Sequence, residues 1–272
     1  MKKITILALY ICLLLPMSAN AQTGEWFKDQ DVSARLIAGS ENNAALEIEL
    51  ADGWHTYWRI PGEAGLPPMF SWSDSENIRD VEVFWPAPTR KKEYEFYTFG
   101  FSEKLTLPLN LTHKEEGKSG TLDLKAQIMI CKDICIPQKF ELNLPLKEGE
   151  HSKENEIITA AKTKIPQETP IEGLSIDSMV AAKDTLVVSV TSENGFENMD
   201  VFPVIEEDFM GLASPPEIEI SVHDPQKAMI KIAAPLDYKD GEMENLASKL
   251  QEKTLSVTLK HGDQSIVSKV QY

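Results

Sequence analysis

Two cysteines stand close together in Met129-Ile-Cys131-Lys-Asp-Ile-Cys135-Ile-Pro137. A three-residue spacer placed in a turn can bring their Cα atoms within the roughly 4.4–6.8 Å that a disulfide requires. A ring this small constrains the unfolded chain by only on the order of 2 kcal/mol. That is a weak staple for a chain long enough to bury real cores. The spacing alone leaves a passive clip and an exchanging pair equally open. Exchange needs a thiolate to attack a partner's disulfide and a second thiol to resolve the mixed disulfide. Lys132 favours a thiolate by its charge and Asp133 opposes it. A third chemistry uses the same atoms: Cys131, Cys135 and Met129 are soft ligands that could hold Cu(I) at a hairpin tip. Met129 falls on the polar-phase side of its strand, but His55, His113, His151, His223 and His261 are scattered along the chain.

A reactive pair needs shielding, and aromatic side chains suit a lid. Tyr94-Glu-Phe96-Tyr97-Thr-Phe99-Gly-Phe101 supplies a dense aromatic run, which ordinary packing of a β-domain explains equally well. Other chemistries lack their motifs. There is no Gly-x-Ser-x-Gly, no phosphate-cradling glycine loop and no His-x-x-x-His pair, and no cofactor is implied. With 43 Asp+Glu against 27 Lys+Arg, the chain repels nucleic acid and anionic lipid, so neither is expected as a partner.

The elements that must position the cysteines read as strands. Leu122, Leu124, Ala126, Ile128 and Ile130 alternate with polar residues, as do Ile136, Phe140, Leu142, Leu144 and Leu146, with Gln138 as the break. Each segment puts one apolar face on a core, and the cysteines fall at the tip of the hairpin between them. Val32–Leu36, Ala44–Leu50 and Val81–Trp85 are further strands. Leu105–Leu111 alternates too, with Pro108 assigning it to an edge or a bulge.

Composition divides the chain. Residues 1–21 carry Lys2 and Lys3, an apolar run from Ile4 to Pro16 and the small residues Ala19 and Ala21. The run is short for a membrane span, and the pattern is that of a cleavable export signal. Its removal would take away Cys12, leave one cysteine pair and move the formal charge from -16 to -18 as two lysines leave. Residues 22–148 form a strand-rich first domain, 149–170 a polar linker with a short helix near Glu154–Lys164, and 171–272 a second β-rich domain. In that second domain a helix is expected between Glu242 and Leu250. Many short strands with turn signals between them argue for all-β architecture in sandwiches.

Three blocks carry a family resemblance: Gly53-Trp-His-Thr-Tyr-Trp-Arg-Ile-Pro-Gly-Glu-Ala-Gly-Leu-Pro-Pro68, Phe70-Ser-Trp-Ser-Asp-Ser-Glu-Asn77 and Trp85-Pro-Ala-Pro88. With the cysteine hairpin, they make Trp26–Leu146 resemble the N-terminal periplasmic domain of the disulfide reductase DsbD, in the version at the front of ScsB-type proteins. The resemblance implies an immunoglobulin-like sandwich with its redox cysteines on one hairpin. It makes Cys135, one residue before Ile136-Pro137, the thiol that forms mixed disulfides, and Cys131 its resolving partner. Glu95-Phe96-Tyr97 matches the family's cap segment, so Phe96 becomes the shielding ring, ahead of Tyr97 and Phe99, with Glu95 able to tune protonation nearby. The cysteine spacing is shorter than in the best-known member. The family's transmembrane and thioredoxin-like domains have no counterpart here. The implied function is periplasmic thiol–disulfide exchange, as a protein-disulfide reductase component. It would need a separate membrane electron donor and thioredoxin-like or disulfide-isomerase-like partners. The alternatives are a Cu(I)-binding protein and a binding module with a structural disulfide.

Overall fold

A computed structural model describes residues 23–272 apart from 41, 148–150, 235–236 and 240–241. The expected export signal lies outside the described residues. Along the first half the strands are β1 (Phe27–Lys28), β2 (Val32–Ala38), β3 (Asn43–Leu50), β4 (His55–Gly62), β5 (Met69–Ser71), β6 (Ile78–Val83), β7 (Thr89–Glu93), β8 (Phe96–Ser102), β9 (Lys104–His113), β10 (Gly120–Cys131) and β11 (Cys135–Leu146). They form an immunoglobulin-like sandwich of two sheets, ordered β1-β2-β3-β9-β6 and β11-β10-β4-β8-β7, with β5 added to β10. The alternating residues Leu122 to Ile130 of β10 and Phe140 to Leu144 of β11 meet Leu36, Leu46, Ile48, Leu107 and Leu109 of the facing sheet in one core. Period-two patterning therefore places one face of each strand inside.

Pro108 corrects the expectation of an edge. β9 lies between β3 and β6, with Pro108 opposite Ala45. In an antiparallel ladder a residue's N–H and C=O point toward the same neighbour. Pro108 O accepts from Phe84 N, just past the last residue of β6, so the missing N–H faces the flank where that strand has ended.

After the first sandwich, helix α1 (Ser152–Lys162) lies on β2 and β3. Ile158 packs with Ile37 and Ala45, and Asn155 exchanges hydrogen bonds with Ser40 N and Oγ. A second sandwich follows. One sheet pairs Gln167–Glu168, Gln264–Gln271, Thr254–His261, Met199–Ile205 and Met210–Gly211. The other pairs Leu174–Ala181, Thr185–Ser192, Lys227–Ala233 and Glu217–Ile220. They enclose a core that includes Leu186, Val188, Ile230, Leu255 and Val257. The helix expected between Glu242 and Leu250 is shorter than that span: Glu242–Glu244 is a strand, and Leu246–Lys249 forms a single turn. The Asn245 side chain accepts from Ser248 N at the start of that turn. An asparagine that caps a helix starts it at its own position and no earlier.

The two sandwiches meet through a third apolar cluster: Trp58, Ile60 and Phe99 from the first, Phe202, Val204 and Ala213 from the second. Met199–Ile205 is covered on both faces, Val201 and Ile205 by their own core and Phe202 and Val204 by this junction. Among the described residues no helix is long and apolar enough to cross a membrane.

Candidate functional site

β10 and β11 are paired without a break from Gly120–Leu146 to Cys131–Cys135, so the cysteines are the last pair of the ladder before the turn. They are joined as a disulfide with Cα atoms 4.1 Å apart. The two sulfurs sit in different surroundings. Cys135 is exposed, whereas Cys131 is only 2 % exposed, because β4 runs beside it with His55 opposite Cys131 and Thr56 opposite Ile130. Thr56 Oγ1 fastens the two strands by donating to Met129 O.

From β4, Tyr57 reaches both sulfurs. Its hydroxyl oxygen lies 3.2 Å from Cys131 Sγ and 3.8 Å from Cys135 Sγ. A disulfide sulfur has no proton, so the hydroxyl is the donor there. The same hydroxyl lies 3.1 Å from Glu93 Oε2, at the end of β7. Burial, followed by the charge and hydrogen bond of Glu93, pushes the Tyr57 hydroxyl well above its ordinary range, so it stays protonated. Glu93 Oε1 accepts from Thr98 Oγ1 at 3.0 Å and lies 2.5 Å from His55 Nε2. That last contact is close but poorly aligned, and neither ring nitrogen of His55 has a well-directed hydrogen bond. Burial lowers the His55 pKa below 6.5 against the opposing pull of Glu93, and Lys91 lowers it further.

The site residues expected from the sequence divide. Cys131 and Cys135 come together as expected. Phe96 stands at the tip of the β7–β8 hairpin, opposite Glu93 and 51 % exposed; Glu95 and Tyr94 in the turn are exposed as well. Tyr97 is held on β8, its N–H donating to Glu63 Oε2 and its ring beneath Lys92. Phe99 is fully buried in the junction between the sandwiches. Lys132 does not turn its charge to the sulfurs: its Nζ donates to Asp52 O at 2.9 Å. Met129 occupies the register position two residues before Cys131, opposite Pro137. Among the described residues no three His, Cys, Asp or Glu side chains cluster as a metal site.

Tyr57, Glu93 and Thr98 are the residues that sequence reasoning misses, and His55 enters it only as one of five scattered histidines. Tyr57 and His55 lie inside the unusual Gly53–Pro68 block, which is a usable signal. Glu93 ends the charged run Arg90-Lys-Lys-Glu93, and only the pairing of β7 with β8 brings it to the disulfide.

The first half of the chain is thus an immunoglobulin-like sandwich with a half-shielded disulfide at a hairpin tip, overlaid by a tyrosine and a carboxylate. Residues 25–147 match the family described as thiol:disulfide interchange protein DsbD, N-terminal, and the first sandwich belongs to that family. Both sandwiches together share the fold of the N-terminal periplasmic domain of ScsB from Proteus mirabilis. The match has a TM-score of 0.71 and 20 % sequence identity, and covers 92 % of this chain and 98 % of that one. No curated protein matches the chain in sequence.

Proposed function

We propose that the protein carries out thiol–disulfide exchange in the periplasm, as a relay between a separate membrane electron donor and a thioredoxin-like or disulfide-isomerase-like protein. In the reduced chain the Cys135 thiolate attacks a partner disulfide, forming one S–S bond and releasing one partner thiolate. Cys131 then attacks Cys135 Sγ, breaking the mixed disulfide and releasing the partner's second thiol. Two electrons pass to the partner, and the chain is left with its own disulfide. Electrons from the donor restore the dithiol by the reverse steps. Phe96 shields the pair between encounters, with Glu95 beside it and Tyr97 bracing the hairpin.

The observation that carries this reading is the unequal exposure of the two cysteines: Cys135 is exposed, and Cys131 is buried beneath the Tyr57 hydroxyl. Reactive cysteines sit in partly exposed sites, whereas buried ones are shielded from bulky disulfides. Single-cysteine variants incubated with glutathione disulfide and weighed by mass spectrometry test the roles. Cys131→Ser is expected to accumulate a glutathione adduct at Cys135. Cys135→Ser should form its adduct on the order of tenfold more slowly. Equal rates for the two variants would overturn the assignment of Cys135 as the attacking thiol.

A further inference from the structure

The strands that surround the disulfide are the same strands that the second sandwich grips. β4 brings Tyr57 to the sulfurs and Trp58 and Ile60 to the junction. β8 brings Thr98 to Glu93 and Phe99 to the junction. β7 brings Glu93 to Tyr57 and, three residues earlier, Arg90 to the second sandwich. The Arg90 side chain is only 8 % exposed. Its Nη2 lies 2.8 Å from Asp200 Oδ1, Nε also points at that carboxylate, Nη1 donates to Ala213 O and Nη2 to Val201 O. The guanidinium lies over the rings of Phe99 and Phe202, at 5.0 and 5.4 Å. Apart from the Phe99 ring, opposite it on β8, every one of these partners belongs to the other sandwich.

We propose that Arg90 is a positioning residue: anchored on Asp200, it holds β7 so that Glu93 stays on the Tyr57 hydroxyl, and through Glu93 the second sandwich sets how readily the cysteine pair forms a thiolate. The inference rests on the proposed exchange chemistry only for its purpose; the coupling itself is a property of the chain.

The chemistry turns on one proton. Tyr57 has a single hydroxyl hydrogen, for which the Glu93 carboxylate competes with the sulfurs, Cys131 Sγ the nearer of the two. While Glu93 is in place it competes for that hydrogen, and its negative charge disfavours a thiolate nearby. If β7 slackens, Glu93 withdraws and the hydroxyl is free to donate to sulfur. Both changes favour the thiolate. The other charged or titratable groups around the pair are His55 on β4, Lys91 on β7, Glu63 at Tyr97 N, Asp133 in the turn, and Lys132, whose ammonium is committed to Asp52 O. None of them lies on the second sandwich.

A surface ion pair would transmit little. A buried arginine with fixed carboxylate and carbonyl partners behaves differently, because removing one partner leaves the other charge uncompensated. Lysine would keep the charge but not the planar fork that meets Asp200 and two carbonyls together.

The test is the pH dependence of iodoacetamide alkylation of the reduced full chain, with the reduction potential of the pair as a second readout. Arg90→Ala and Asp200→Asn remove charges of opposite sign. A through-space effect would therefore move the thiol midpoint in opposite directions for the two variants. Release of Glu93 lowers the midpoint in both, as Glu93→Gln does directly. The expected result at neutral pH is alkylation faster by about threefold to tenfold in each variant, with a less negative potential. Arg90→Lys should recover part of the native profile. Adding Glu93→Gln to Arg90→Ala should give little beyond Glu93→Gln alone. Unchanged profiles in folded Arg90→Ala and Asp200→Asn, shifts of opposite sign, or full additivity with Glu93→Gln would each overturn the proposal. If Arg90→Ala fails to fold, Asp200→Asn, which preserves shape, decides the question by the same readouts. A chain inert toward disulfide partners that still shows these shifts would discard the relay reading and keep the positioning.

Discussion

One phenolic hydrogen at Tyr57 stands between a carboxylate and a disulfide, and His55 lies against the same carboxylate. His55 is 4 % exposed and held below its ordinary pKa of 6.5, first by burial. The folded protein therefore binds fewer protons than the unfolded chain in the window below 6.5. Stability contributed by neutral His55 is present above pH 6.5 and is lost as the pH falls toward the lower folded value. Urea unfolding between about pH 7.5 and 5 should show this loss, and His55→Gln should flatten it. An unchanged pH slope in the variant would contradict a buried neutral imidazole. At this scale the sequence discloses the sulfurs but not their neighbours. Glu93 sits in a charged run that reads as solvated surface, and its role exists only because β7 pairs with β8 and carries it across.

Among the elements, the β10–β11 hairpin is legible because each strand has one buried and one open face, which period-two patterning records. β4 does not read as a strand, since Thr56, Tyr57 and Trp58 are all buried and no alternation survives. A strand covered on both faces loses that signal. Pro108 misleads in the opposite sense, because its effect depends on where the neighbouring strand stops. The loop from β4 to β5 supports the site from above. Gly65 has φ of +95°, and a Cβ there would stand 2.5 Å from the Tyr57 ring. Gly65→Ala meets both a strained backbone and a collision with that ring. The expected cost is on the order of 1–3 kcal/mol, read as a lower urea midpoint at unchanged slope. A variant as stable as the parent would mean that the loop does not press on Tyr57.

At the scale of the whole molecule, all-β architecture can be read from turn spacing and alternation, while the joining of the sandwiches cannot. Arg90 and Phe99 lie far in sequence from Asp200 and Phe202, and nothing in their local patterns links the two pairs. The continuous apolar run Val201-Phe-Pro-Val-Ile205 is the available hint, since a strand apolar at every position is covered on both sides. Whether the molecule works as an exchange protein then depends on whether its disulfide can be made and broken at biological potentials. The direct measurement is equilibration of Cys131–Cys135 against glutathione, with thiol trapping and mass readout. An exchanging pair should show a potential between about -180 and -270 mV, whereas a value below about -300 mV would mark a structural clip and contradict the exchange function.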